Sequence, residues 1–176
     1  MEHGDIELIR LTPEEVQDIL SGIALREWQG YPCAAGDLVP AVVARCAMEG
    51  YQAGQDWFWC APRLFCHKSQ QLIVGSGCFK GAPVEGVVEI GYGIATACEG
   101  KGYASAAVAG LVEEAFSHID VDAVLAETSV HNPASQRVLE KNRFHRIGER
   151  DDPEDGPLTR WRRDRSVRDA AQGNRM

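Results

Sequence analysis

Apolar positions change their spacing several times along the chain, and each change marks an element. Ile6, Leu8 and Ile9 fall in a short alternating run over residues 5–11, which predicts a first strand. Thr12-Pro13-Glu14-Glu15 then opens a helix, with threonine as N-cap, proline at the first position and glutamate three residues after the cap. Val16, Ile19 and Leu20 keep helical spacing, and Gly22 ends the run. Trp28 to Asp37 holds glycine and proline at loop density. Val39 to Gln52 predicts a second helix, with Val42, Val43, Cys46 and Ala47 on its inner face and a weak end at Gly50.

The middle of the chain reads as strands. Trp57-Phe58-Trp59-Cys60 is expected to continue toward Leu64-Phe65-Cys66, with Trp57 and Trp59 on one strand face. A polar turn at Lys68 to Gln71 leads into Leu72–Phe79, and Gly81 to Gly86 leads into Val87–Ile94. Such short connections predict an antiparallel meander, with Val88, Ile90 and Tyr92 sharing a core-facing side. A long helix follows, running to His118. Its buried stripe is Ala104, Val108, Leu111, Val112, Ala115 and Phe116, and small residues around Gly110 allow close packing on a sheet. Val121 to Val130 is the next strand. Asn132 caps a last helix with Pro133 at its first position. That helix runs through Val138 and Leu139 to Asn142, and asparagine suits the left-handed conformation that ends helices. Phe144 to Arg150 and Leu158 to Arg163 form a final hairpin around the acidic turn Asp151–Gly156. The order βαα, βββ, α, β, α, ββ predicts one α/β domain over residues 1–165, with a flexible C-terminal tail at 166–176.

Composition narrows the class. The 176 residues are 44% hydrophobic and 25% charged, as in an ordinary globular domain with a real core. The first ten residues lack the basic and apolar regions of a secretory signal, and no apolar run is long enough to span a bilayer. The expectation is a cytoplasmic protein without membrane contact. Cys33, Cys46, Cys60, Cys66, Cys78 and Cys98 form no Cys-x-x-Cys pair and read as reduced thiols. Cys66-His67 alone does not make a metal site, so no metal is expected. A net charge of -8 argues against a nucleic-acid groove. Residues 160–176 carry six arginines against two aspartates, so the rest of the chain is more acidic still. An acidic body suits a cationic amine substrate, or serves solubility alone.

The chemistry concentrates in Gly91 to Phe116. Gly100 and Gly102 flank Lys101 just before the long helix. Glycine permits φ > 0 and leaves no Cβ between backbone and ligand. The free N–H groups of the turn, with the helix dipole, then form an anion site. The turn is no P-loop, since no Gly-x-x-x-x-Gly-Lys-Ser/Thr run exists, and Gly100-x-Gly102-x-x-Ser105 lacks the third glycine of a dinucleotide fingerprint.

Three stretches then stand in order: Glu89-Ile90-Gly91-Tyr92 before the turn, Gly100-Lys101-Gly102-Tyr103-Ala104 within it, and Asn132-Pro133-Ala134-Ser135-Gln136-Arg137-Val138-Leu139-Glu140-Lys141-Asn142-Arg143-Phe144 after it. With the element order over about residues 5–163, they resemble the GNAT superfamily of acetyl-CoA-dependent acyltransferases, most closely its RimJ/RimL-type branch. The resemblance implies a mixed, mainly antiparallel, splayed sheet of about six to seven strands flanked by about four helices. It implies acetyl-CoA as co-substrate, wedged between two diverging strands and contacted by Ile94, Ala95, Thr96, Gly100, Lys101, Gly102, Tyr103, Ala104 and Asn132. The acceptor would be a primary amine, on a small molecule or a protein N-terminus, and a homodimer is common in the branch. The substrate pocket would lie between the loop around Trp28 and Tyr31 and the acidic hairpin turn.

The same resemblance implies roles. A backbone N–H near Ile94 would polarise the thioester carbonyl, and Ser135 would stabilise the leaving thiolate; a serine in a capped first turn is also unremarkable. Glu89 is placed to be the base, directly or through water, or else it faces solvent or pairs with an arginine. Glu127 and His131 are the other base candidates. Asn132 serves as cap and as a pantetheine contact. Tyr103 either bonds the cofactor or packs, and Lys101 either meets a phosphate or is an exposed turn lysine. The chain departs from the family at Ala97 and Glu99, where Gln or Arg is usual, at Leu139, near where many members carry a tyrosine, and at Asn142-Arg143, where glycine is usual. The Ala97 and Glu99 departures keep a second reading open, a CoA-binding sensor or interaction module with little catalysis.

Overall fold

The computed structural model describes residues 5–166. Most of the expected tail therefore lies outside the described residues. The chain enters through β1 (Ile6–Arg10) and α1 (Pro13–Leu20). Thr12 closes α1 as a capping box: its side chain accepts from the Glu15 N–H at 3.2 Å, while Glu15 accepts from the Thr12 N–H at 2.8 Å. The expected loop at 28–37 contains a minimal hairpin, β2 (Glu27–Trp28) and β3 (Tyr31–Pro32). Next come α2 (Ala41–Gln52) and α3 (Trp57–Cys60), then β4 (Arg63–His67), β5 (Leu72–Phe79) and β6 (Val87–Ile94). After a 3-10 turn at Thr96–Cys98 the chain continues through α4 (Tyr103–Ser117), β7 (Ala123–Ser129), α5 (Pro133–Lys141), β8 (His145–Asp152) and β9 (Gly156–Asp164).

Seven strands form one sheet in the order β1-β4-β5-β6-β7-β9-β8. Every pairing is antiparallel except β6 with β7. That parallel pairing runs only from Val87 to Ile90, against Ala123 to Ala126. Beyond it the two strands part. Helix α4 buries Ala107, Val108, Leu111, Val112, Ala115 and Phe116 against the sheet. Two glycines let helix and sheet approach. A Cβ on Gly110 would stand 2.1 Å from Leu8 Cδ1 of β1, and one on Gly77 3.1 Å from Leu111 Cδ1 of α4. All six cysteines are free thiols, and burial pushes Cys33, Cys60, Cys66 and Cys78 up.

Three sequence expectations change here. Trp57–Cys60 is a short helix, not a strand. Asp56 caps it by accepting from the Phe58 N–H at 2.9 Å, and Arg63 closes the other end. The Arg63 guanidinium is fully buried and donates to the Phe58 carbonyl at 2.7 Å and the Ala61 carbonyl at 2.6 Å. Its Nε reaches Glu114 of α4 at 2.9 Å, and it lies over the rings of Phe58 and Phe79. Helix α2 keeps part of its expected face, with Ala47 buried and Val43 half-buried, but turns Ala44 inward while Val42 and Cys46 are exposed; the small side chains sit at the fully buried positions of a helix that packs on α1. The left-handed residue after α5 is Arg143, at φ 64°, not Asn142. Asn142 is buried and ties the end of α5 to the start of α4, donating to Ser105 O at 3.1 Å and Val138 O at 2.9 Å.

The other end of α4 is closed by Arg165, which donates to the carbonyls of Phe116, His118 and Val121. Arg63 is the group whose removal leaves most behind: a carboxylate, two carbonyls and a cavity beneath two rings. Arg63→Ala is expected to cost about 3 kcal/mol or more in urea unfolding, and Arg63→Met less, since methionine refills part of the volume.

Candidate active site

Where β6 and β7 part, a cleft of about 710 Å³ opens between the end of β6, the start of α4 and one face of α5. Its floor comes from Tyr92, Gly93 and Ile94. Pairing with β5 sets the backbone direction there. The Ala95 N–H donates to Val74 O at 2.8 Å, and Ile94 stands opposite Gly75. Alternation along an antiparallel ladder therefore turns the Ile94 N–H away from β5, into the gap that β7 has left.

The head of α4 forms the second wall. Gly100 and Gly102 hold φ of 73° and 84°, and a Cβ on either would meet nothing within 4 Å. The backbone at both positions favours glycine. Gly102 is the N-cap and offers no side chain to the first N–H groups of a 15-residue helix. Those groups, with the glycine turn, face the cleft lined by Gly100, Gly102, Tyr103, Ala104 and Ser105. A phosphate-bearing group fits this cradle by its free donors and open space.

Helix α5 is the third wall. The Asn132 side chain caps it, accepting from the Ser135 N–H at 3.0 Å. Ala134, Arg137, Val138 and Lys141 recur at helical spacing and line the cleft with Ser135. Across the gap, the Tyr92 hydroxyl lies 2.7 Å from Ser135 Oγ and 3.3 Å from the Ser135 carbonyl. Burial pushes the Tyr92 phenol up to about 12, partly offset by that hydrogen bond.

The expected site residues divide. Ser135, Ile94, Gly100, Gly102, Tyr103, Ala104 and Asn132 all line the cleft. Tyr103 also packs edge-on against His67, 4.8 Å between ring centres, and reaches Gln70 at 3.4 Å. Ala95 is buried with its N–H committed to β5, and Thr96 is exposed at the start of the 3-10 turn. Lys101 folds back on its own turn, donating to Ala97 O at 3.3 Å. Glu89 is on the opposite face of β6 from Tyr92, outside the cleft, and pairs with Lys80 rather than an arginine. Glu127 is gripped through both oxygens by Arg150 at 2.7 Å, with Arg160 at 3.6 Å. Arg150 holds its carboxyl below the usual range. His131 is exposed and does not line the cleft. In the acidic hairpin turn, Asp152 accepts from the N–H groups of Glu154 and Asp155, which with Arg150 hold it low.

Tyr92, Arg137 and Lys141 are among the lining residues to which sequence reasoning assigned no role in the site. The alternation of β6 placed Tyr92 on the core side, where it does point; only the splay turns that side into a cleft wall. Arg137 and Lys141 were legible as an i, i+4 basic pair on a predicted helix.

A family model for the GNAT acetyltransferase domain matches residues 5–145. The chain belongs to the GNAT acetyltransferase family and is an acyltransferase of that class. No curated protein sequence matches it. Among solved structures it is similar to RimL, a ribosomal L7/L12 alpha-N-protein acetyltransferase in complex with coenzyme A, with TM-score 0.66 at 18% identity, covering 94% of this chain and 96% of that one. It is also similar to AAC(6')-Ib in complex with paromomycin and acetyl-CoA, TM-score 0.63 at 19% identity, with 98% of each chain covered. A spermidine N-acetyltransferase SpeG chimera from Vibrio cholerae and hSSAT gives 0.64 at 13%, covering 98% of this chain and all of the other. At these identities the likeness is one of fold. No described helix is long and apolar enough to cross a membrane, and the described residues hold no cluster that could bind a metal ion.

The Tyr92 phenol has a consequence for stability. Its pKa rises from 10.0 unfolded to about 12 folded, so above pH 10 the unfolded chain loses this proton first and the folded state loses stability. Wild type should lose on the order of 2–3 kcal/mol more than Tyr92→Phe between pH 10 and 12, read as the difference in urea unfolding.

Proposed function

We propose that the cleft binds acetyl-CoA and that the protein moves the acetyl group directly to a primary amine, on a small molecule or a protein N-terminus. The glycine turn at the uncapped head of α4 carries this reading, because it presents backbone donors to a cleft with room for a phosphate chain. Arg137 and Lys141 reinforce it from α5, where they offset Glu99 on the same cleft. The relatives solved with coenzyme A or acetyl-CoA lend support, and those described as acting on protein N-termini, aminoglycosides or spermidine all take amines.

Transfer joins the amine nitrogen to the acetyl carbon and breaks the carbon–sulfur bond. The electron pair stays on sulfur, which gains the proton that nitrogen gives up. The Ile94 N–H donates to the thioester oxygen as charge develops there. The Ser135 hydroxyl donates to the sulfur. Glu89 takes the amine proton, directly or through water, from an amine that reaches the gap from the face of β6 opposite the cleft, and releases Lys80 to do so. Asn132 holds the pantetheine arm from the start of α5.

Calorimetric titration tests the first step: acetyl-CoA should bind in the micromolar range, while NAD and ATP should not. Failure of all three would sink the assignment. Binding without CoA release on addition of any amine would make the protein a sensor. Arg137→Gln combined with Lys141→Gln should weaken acetyl-CoA at least tenfold and flatten the dependence of its Kd on salt. In an active preparation, Glu89→Gln and Ser135→Ala should each lower kcat by about 10- to 100-fold with acetyl-CoA affinity nearly unchanged. Normal turnover in both variants would show that the chemistry lies elsewhere.

A further inference from the structure

The splay leaves a tyrosine where no role had been assigned. Tyr92 stands on the half of β6 that has parted from β7, its hydroxyl 2.7 Å from Ser135 Oγ and 3.3 Å from the carbonyl of the same serine. The Ser135 N–H is already committed to Asn132. Among the described residues, Tyr92 is the one side chain that meets Ser135 Oγ through a hydrogen bond. A phenol carries one proton. Either oxygen can be the donor in the Tyr92–Ser135 Oγ contact; with the phenol proton shared between the two oxygens of Ser135, the serine accepts from Tyr92 and its own O–H is free to point into the cleft.

We infer that Tyr92 is a positioning residue: it holds the Ser135 hydroxyl turned toward the sulfur of bound CoA and strengthens it as a donor to the thiolate. The inference rests on the acetyl-CoA reading and adds to it the group that aims Ser135. Tyr92 does not give up its own proton. A phenol pushed up to about 12 is a far weaker acid than a thiol of about 8.5, so transfer to the thiolate is disfavoured by about a thousandfold or more. What Tyr92 supplies is direction and polarisation, through a bond that bridges the two diverging elements. Charge on the sulfur is favoured by a donor that is already oriented and needs no rearrangement when the carbon–sulfur bond breaks.

The test reads the thiolate itself and needs no acceptor amine. The affinities of CoA and desulfo-CoA are measured by calorimetry from pH 7 to 10, and their ratio isolates the sulfur. The other titratable or charged groups of the cleft, Cys98, Glu99, Tyr103, Arg137 and Lys141, meet both ligands alike and cancel in that ratio. In wild type the preference for CoA should grow by about tenfold as the thiol ionises, since a hydrogen bond to the charged form favours it. Ser135→Ala should abolish that growth, and Tyr92→Phe should remove most of it. Adding Tyr92→Phe to Ser135→Ala should change nothing further, which a merely structural tyrosine would not do.

Equal growth in Tyr92→Phe and wild type would overturn the inference, as would an equal effect of Tyr92→Phe in both backgrounds. Loss of binding to desulfo-CoA as well would mean that the tyrosine only shapes the cleft, which also refutes it. If wild type binds neither ligand, the acetyl-CoA reading itself has failed, and the two failures are distinct. Melting curves at pH 7 verify that the isosteric Tyr92→Phe change leaves the fold intact.

Discussion

Strands β6 and β7 share a ladder over only four residues of each, and the rest of β6 has no strand partner on that side. An unpaired strand edge inside a protein is costly, because its N–H and C=O groups need partners. At the end of β7 part of that cost is met by other elements. Gln136 of α5 donates to the carbonyls of Ser129 and Val130 at the end of β7, and the Val130 N–H goes to Pro157. Tyr92 reaches across to Ser135. Helix α5 thus takes part of the place that a continued β7 would have held, and it leaves a gap with one strand N–H facing inward. The cleft is a consequence of interrupted pairing, and of the residues that bridge the interruption, Tyr92 and Ser135 line it.

This dependence explains why α4 and α5 are tied so firmly. The buried Asn142 amide joins them at one end of the cleft, and Arg143 accepts a left-handed backbone so that the chain can turn into Phe144 and β8. A non-glycine residue there costs about 1 kcal/mol. The charge of the site is similarly divided. The turn at 99–102 brings an acidic side chain and a lysine that folds back on it, so attraction to phosphate falls to backbone donors on α4 and to Arg137 and Lys141 on α5. A phosphate chain held from both walls would resist the opening of the gap, so cofactor binding and the α4–α5 packing should reinforce one another.

Local signals were legible in the sequence. The Thr12 and Asn132 caps and the glycines at 100 and 102 each depend on neighbours within a few residues, and all stand where expected. The misreading at Trp57–Cys60 has the opposite origin. Four aromatic and apolar residues fit a strand or a buried helix equally well, and the choice is made by Arg63, whose own position depends on Glu114, 51 residues away. Tyr92 and Ser135 are 43 residues apart, and nothing near either announces the other. The strand face of Tyr92 was readable, but whether that face meets core or cleft is set by where the parallel ladder stops. The same limit applied to α2, where the pattern put Val42 and Cys46 inward with Val43 and Ala47, but the fully buried positions are Ala44 and Ala47.

Charges on the far face of β6 and β7 bear on which carboxylate suits a base. Glu127 accepts two hydrogen bonds from one arginine and stands near a second, and its carboxyl is held low. To take a proton it would have to surrender a bidentate pair whose geometry is rigid, leaving Arg150 unpaired beside Arg160. Glu89 is held by one lysine, which is half exposed and attached by a flexible stem. Lysine binds as a point charge and can swing into water with little loss, so the carboxylate it leaves behind is free to accept a proton. The difference lies in the partner rather than in the glutamates themselves. It favours Glu89 as the proposed base, on the strand that also turns the Ile94 N–H toward the gap.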